Sequence, residues 1–308
     1  MITYLKTENN RLVTLSELTD GCWVNVVSPT EQEIQYLVDT LGLDMDFVRS
    51  SLDEEETSRI ESEGEQTLVI VDAPVAEKQS ENTILYSTMP IGVIITDKVL
   101  YTISLKENTV ITEFAGSMVK NVQTHLRTRF FLTLMLRISI RYLQYLKQID
   151  KISNLMEQQL HKSLKNKELI QLLGLEKSLV YFSTSLKANN ATLEKILRGR
   201  FIKMYDDDKD LLEDVLIEVK QAIEMSGIYS DVLSSMMDAF ASVISNNLNI
   251  VMKMLTSITI VMAIPTVIAS FYGMNVVNLP LPNFWFPIGL SLVVMVTIGI
   301  ILKKKNLF

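Results

Sequence analysis

Residues 254–302 read MLTSITIVMAIPTVIASFYGMNVVNLPLPNFWFPIGLSLVVMVTIGIIL, without one Asp, Glu, Lys, Arg or His. A helical crossing of a bilayer takes about 20 apolar residues, so this stretch holds two crossings, about Met254–Tyr272 and Trp285–Leu302. Tyr272-Gly273-Met274-Asn275 closes the first, and a short neutral loop leads to the second. Lys253 stands before the pair and Lys303-Lys304-Lys305 after it. Positive charge at both outer ends predicts a hairpin with both termini cytoplasmic.

Working outward, the chain has 308 residues, 48% of them hydrophobic, and a positive mean hydropathy of +0.22. Part of it is therefore expected in lipid and roughly 250 residues in the cytosol. Met1–Arg11 holds no basic stretch followed by an apolar run, so no signal peptide is read there. A single cysteine, Cys22, excludes an intramolecular disulfide and reads as strand core. Residues 1–110 carry 20 Asp and Glu against 7 Lys and Arg, while the whole chain has a net charge of −7. Such an acidic first third argues against nucleic acid as a partner and for cations.

Leu12–Leu15 and Cys22–Val27 have strand character and are divided by Asp20-Gly21 turn chemistry. Thr30 with Glu33 predicts a capping box, Ile34, Leu37, Val38 and Leu41 share one helical face, and Gly42 is placed to end that helix. A short helix is expected over Asp46–Leu52, then strands at Thr67–Val71, Ile84–Thr96 and Val99–Leu105. No proline occurs between Pro90 and Pro265, which permits very long helices. They are expected at about Arg129–Leu164, Asn166–Leu197 and Asp208–Phe271, with Asp206-Asp207-Asp208 as the turn that caps the last.

The fold class is thus an α+β membrane protein: an N-terminal cytosolic α/β sandwich domain, a long helical stalk and two C-terminal transmembrane helices. The expected division is a cytosolic α/β domain over 1–125, the stalk over 126–252 and a first transmembrane helix over 253–273. An extracellular loop over 274–284, a second transmembrane helix over 285–303 and a cytosolic tail over 304–308 complete it.

On the last long helix, Asp238, Ser242, Ser245, Asn249, Thr256, Thr259, Ala263, Thr266 and Ser270 recur every three or four residues, with Met252 filling the gap. They form one small or polar face that continues into lipid. Two readings stand: small residues that let helices pack closely, or the lining of a pore built from several copies, since polar groups in a span face other helices or water. A carboxylate and an amide well before the apolar stretch favour the pore.

Tyr272-Gly273-Met274-Asn275 between two C-terminal spans, followed by Lys303–Lys305, resembles the CorA family of divalent-cation transporters over most of the chain. The resemblance implies a homopentamer in the plasma membrane with the first span around the pore. It implies a selectivity ring of Gly273, Met274 and Asn275, polar pore positions at Asp238, Asn249 and Thr266, and an inner apolar constriction at Met252 and Leu255; Thr259 and Ser270, on the same stripe, are read as pore-lining with them. Mg²⁺ is implied as the substrate and as a regulatory ligand, with Co²⁺ as a possible second cargo and no organic cofactor. The ring has a physical rationale: Mg²⁺ gives up its waters reluctantly, and neutral amide and carbonyl oxygens can hold those waters without stripping them. Gly273 would leave the backbone free to turn inward. Pro265, lacking an N–H, would either free the carbonyl of Val261 or serve packing.

Two departures stand out. Residues 276–283, VVNLPLPN, carry no acid where many relatives do. Asp214 matches a family acid of the cytosolic ion-sensing site, but Arg49 and Ser50 replace its expected partners; Asp53-Glu54-Glu55-Glu56 either substitutes for them or is a solvated acidic turn. An enzyme is disfavoured, with no phosphate-binding Gly-rich loop, no Cys or His pair at metal spacing, and two histidines, His125 and His161, read as surface residues on helices. A non-conducting tethered sensor or scaffold remains as a rival, as does a carrier of Co²⁺, Ni²⁺ or Zn²⁺, although no soft or imidazole ligand lies on the stripe.

Overall fold

The computed structural model describes residues 1–9, 11–80, 83–116, 118–119, 122–162, 166–199, 201–275, 281 and 283–305. The chain divides into two compact units, Met1–Ser235 and Met236–Phe308. The first is built on seven strands: β1 (Ile2–Glu8), β2 (Arg11–Leu15), β3 (Trp23–Val27), β4 (Arg59–Glu63), β5 (Gln66–Ser80), β6 (Thr83–Ile95) and β7 (Leu100–Ser104). They lie in the order β2-β1-β3-β7-β6-β5-β4. β3 and β7 are parallel, with Trp23 opposite Leu100, and the other pairs are antiparallel.

Helices cover both faces of the sheet, which is the expected sandwich. Strand alternation sends Val24, Val26, Leu68 and Ile70 to one face, where they pack with Leu37 of α1 (Glu31–Asp39) and Phe47 and Val48 of α2 (Met45–Ser50). Trp23 goes to the other face and meets Phe114 of α3 (Thr109–Ala115) and Phe130 of α4 (Arg127–Lys162), while Tyr86 meets Phe182 of α5 (Asn166–Arg198). Burial of the indole does not orphan its N–H, because Trp23 Nε1 donates to Thr102 Oγ1 at 2.8 Å. All five residues of β7 are buried, as a central strand covered on both faces requires. The capping box at Thr30 and Glu33 is formed, and Gly42 has a φ of 70° just past α1, a conformation that disfavours side chains.

β1, β4 and α3 were not foreseen, and β5 runs nine residues past the expected Val71. RIESE in β4 has one apolar residue, so it carries no strand pattern. Asp72 and Pro74 break the apolar run of β5, and Pro90 interrupts β6. The geometry tolerates both prolines: β4 accompanies β5 only up to Ile70, and β7 accompanies β6 only from Ile91 onward. Pro74 and Pro90 lie in the overhang, where no third strand asks for an N–H. Asp72, beyond the end of β4, finds a substitute strand in α5: its N–H donates to Asn189 Oδ1 at 2.9 Å, and Asn189 Nδ2 donates to its carbonyl at 2.8 Å.

α6 spans Asp206–Tyr272 and α7 spans Trp285–Lys304. The start of α6 corrects the expected Asp208: Asp206, Asp207 and Asp208 form its first turn, and Asp208 Oδ2 reaches back to accept from the Tyr205 N–H at 3.1 Å. α4 begins at Arg127, and its expected end at Leu164 lies outside the described residues. His125 stands in the turn before α4, not on a helix, and the side chain of His161 is outside the description.

In the second unit, α6 and α7 both have an 18-residue window of mean hydropathy 2.0 or above, of which only 6% is fully buried. Length and composition suit two crossings. The half-buried or buried positions in this part of α6 are Ser257, Val261, Ile264, Pro265, Ile268 and Tyr272; on α7 they are Pro287, Ser291, Val294, Met295, Ile298, Gly299 and Leu302. Steps of three and four on both helices show the two laid against one another as a hairpin. The rings of Tyr272 and Phe286 meet at 6.3 Å at its closed end.

Candidate functional site

Each residue of a helix advances about 100° around the axis, so the two sides of α6 can be compared directly. The set from Ser257 to Tyr272 marks the side toward α7. Asp238, Asn249, Met252, Thr259, Thr266 and Ser270, with the small residues between them, centre about 150° away from it. All six are exposed in the single chain. The polar stripe is therefore not the surface on which the hairpin closes, and the close-packing reading finds no use for it within one chain. Leu255 lies about 80° to the side of the stripe's centre and Met252 near its middle. Val261 and Pro265 belong to the α7 side, so the carbonyl that Pro265 leaves free is turned away from the stripe.

Two hydroxyls on the stripe are oriented. Thr256 Oγ1 donates to the Met252 carbonyl and Thr259 Oγ1 to the Leu255 carbonyl, each at 2.8 Å. With its proton committed to the backbone, a threonine oxygen presents only lone pairs outward. That suits the outward-pointing protons of a cation's water shell.

Gly273-Met274-Asn275 follows directly on α6. Gly273 N–H bonds to the Ala269 carbonyl at 2.9 Å and Met274 N–H to the Phe271 carbonyl at 3.4 Å, and Asn275 is exposed. Gly273 is not among the glycines with positive φ, and a Cβ there would stand 3.3 Å from the Ala269 oxygen. The backbone of one chain therefore does not demand a glycine at 273. The placement adds a feature that residue typing did not reveal: the motif sits at a helix C-terminus, where unpaired carbonyls carry about half a negative charge. Such a charge attracts cations where the following loop has no acid. Asn278 lies outside the described residues.

The acidic candidates of the first unit are placed as follows. Asp53–Glu56 forms a turn after α2, with Asp53 Oδ1 accepting from the Glu55 N–H at 3.0 Å. Lys106 Nζ is 3.1 Å from Glu54 and 3.8 Å from Glu77, and Arg59 Nε is 3.3 Å from Glu56. Asp214 is exposed on α6. Among the described residues no three His, Cys, Asp or Glu side chains are grouped to hold a metal ion, so Asp214 and Asp53–Glu56 form no three-ligand site in one chain. A cavity of about 500 Å³ lies beside the turn, lined by Glu54, Glu56, Asp72, Lys106, Lys177 and Ser185 among others. Burial pushes the Asp72 carboxyl up, against a hydrogen bond from Ser185 that lowers it.

The sequence model of the family described as CorA-like Mg2+ transporter protein matches residues 19–304. The cobalt/magnesium transport protein CorA of Methanocaldococcus jannaschii is 28% identical over 292 residues, 92% of this chain and 90% of its own length. Its namesake from Thermotoga maritima is 32% identical over 146 residues, 42% of each chain. The complete structure of the CorA magnesium transporter from Methanocaldococcus jannaschii matches with a TM-score of 0.81 at 26% identity, covering 99% of this chain and 96% of that one.

Proposed function

The chain belongs to the CorA-like Mg2+ transporter protein family, and on that premise we propose that it is a homo-oligomeric channel for Mg²⁺, with Co²⁺ as a second cargo. The observation that carries this reading is the position of the polar stripe, about 150° from the face that α6 turns to α7. A stripe left free by its own hairpin is available to other copies. A closed ring of copies would bring the stripes together around one axis.

In that ring the Asn275 side chains and the carbonyls ending α6 would meet the ion first, holding its water shell through oxygen acceptors. Thr266, Thr259 and Asn249 would offer further oxygens along the path, and Asp238 a carboxylate at its inner end. Met252 in several copies would form an apolar constriction that closes by shedding water, with Leu255 on its flank. Influx would run down the membrane potential, both termini being cytoplasmic. Regulation by cytosolic Mg²⁺ through Asp214 and Asp53–Glu56 would draw on acids of different copies, since among the described residues of one chain no three acids form a metal site.

The test is flux of Mg²⁺ into proteoliposomes containing a trapped Mg²⁺ indicator, wild type against Asn275→Ala at equal oligomer content. Wild type should carry flux above protein-free vesicles and the variant should lose most of it. Flux no greater than in empty vesicles would reject transport and favour the tethered sensor. Undiminished flux in the variant would remove Asn275 from the filter.

A further inference from the structure

We propose that Lys253 of α6, with Lys303, Lys304 and Lys305 at the end of α7, forms a docking surface for anionic phospholipid headgroups. The Tyr272–Phe286 ring contact fixes the register of the hairpin. Lys253 precedes Tyr272 by 19 residues and Lys305 follows Phe286 by 19. At about 1.5 Å per residue both lie roughly 28 Å from the contact, at one level. That distance is close to the thickness of a hydrocarbon core, about 30 Å. The far end carries Tyr272, Phe284, Trp285 and Phe286, the residue types that settle at a headgroup boundary. Between an aromatic level and a lysine level the hairpin is charge-free.

Three observations separate these lysines from a plain topology signal. All four are exposed, and none has an ion-pair partner among the described residues. Asp238 is the last acidic side chain of the sequence and stands 15 residues before Lys253, about 22 Å along α6, so no acidic side chain of the second unit is close enough to neutralise them. Lys253 also stands about 80° from the centre of the polar stripe and about 70° from the direction of α7. Its charge is thus directed to the outside of the hairpin and away from the proposed cation path, and the three consecutive lysines fan around the end of α7. An ammonium cluster at headgroup level, facing outward, matches the phosphate of a phosphatidylglycerol-type lipid. Each such lysine strengthens attachment to an anionic surface about five-fold.

The inference depends on membrane insertion and not on which ion is carried. Its test is thermal unfolding of the detergent-purified full chain, titrated with phosphatidylglycerol, phosphatidylcholine or inorganic phosphate. Phosphatidylglycerol should raise the midpoint beyond the effect of phosphatidylcholine, inorganic phosphate should not, and 0.5 M salt should remove the difference. Lys303→Gln with Lys304→Gln and Lys305→Gln should lose most of the increment, and the three Lys→Arg changes should keep it. Equal effects of the two lipids in wild type overturn the proposal even if the glutamine variant fails to fold. An equal effect of inorganic phosphate identifies a free-anion site and overturns it also, as does a glutamine variant with the full increment.

Discussion

Replacing Asn189 by alanine removes the substitute for a missing strand. Asn189 is buried, accepts the Asp72 N–H at 2.9 Å and donates to the Asp72 carbonyl at 2.8 Å. The carbonyl keeps a second donor, since Tyr142 Oη reaches it at 3.1 Å, but among the described residues the N–H has no other partner. An orphaned buried donor costs about 1–3 kcal/mol, and the lost bond to the carbonyl about 0.5–1.5 kcal/mol more. Asn189→Ala should therefore cost about 1.5–4.5 kcal/mol, a large part of the 5–15 kcal/mol typical of a folded domain. Urea unfolding of the full chain in detergent, followed by the fluorescence of the fully buried Trp23, measures it. Asn189→Leu fills the space without supplying either bond and should cost at least as much as the orphaned donor. A loss below about 1 kcal/mol in both variants would refute the idea that the carboxamide completes the edge of β5.

Further outcomes follow from the same geometry. Because burial raises the Asp72 carboxyl from its ordinary 3.8, its neutral form is favoured by folding; stability should fall as pH rises from that value through the folded one, and Asp72→Asn should flatten the slope in unfolding measured against pH. Single cysteines at Thr256 or Thr266 should form disulfides between copies under mild oxidation, whereas a cysteine at Ile264, on the α7 side, should not; the reverse pattern would turn the stripe away from any shared axis. Met252→Ser should raise the resting leak of proteoliposomes several-fold and Leu255→Ser less, because Leu255 stands about 80° off the stripe; equal leaks would widen the constriction to both residues.

Much of this was legible because it rests on periodicity or on local side-chain chemistry. The charge-free run before Lys303, the capping box at Thr30 and the αL glycine at 42 act over a few residues and appear in the sequence. β4 was not legible, since RIESE becomes a strand only by pairing with β5. The length of β5 was hidden by Asp72 and Pro74, which are tolerated only because β4 stops early. For the stripe, residue spacing placed Asp238 to Ser270 on one face but left its partner undecided. The burial of Ser257, Val261, Ile264 and Ile268 on the other side of α6 adds only that this partner is not α7. Whether Asp53–Glu56 stands near Asp214 depends on distant packing, for which the sequence has no local sign.

The overhang of β5 and β6 has a consequence for how the chain survives its own synthesis. A strand whose outer edge meets no neighbour is a template on which another copy can add. At Asp72 the Asn189 carboxamide occupies that edge, Pro74 is buried and offers no N–H, and farther out the exposed charge of Glu77 blunts it. Pro74, which helped to obscure the strand in the sequence, thus also withholds part of its edge from other copies, and Asn189→Ala would open the edge at Asp72 to aggregation before the hairpin reaches lipid.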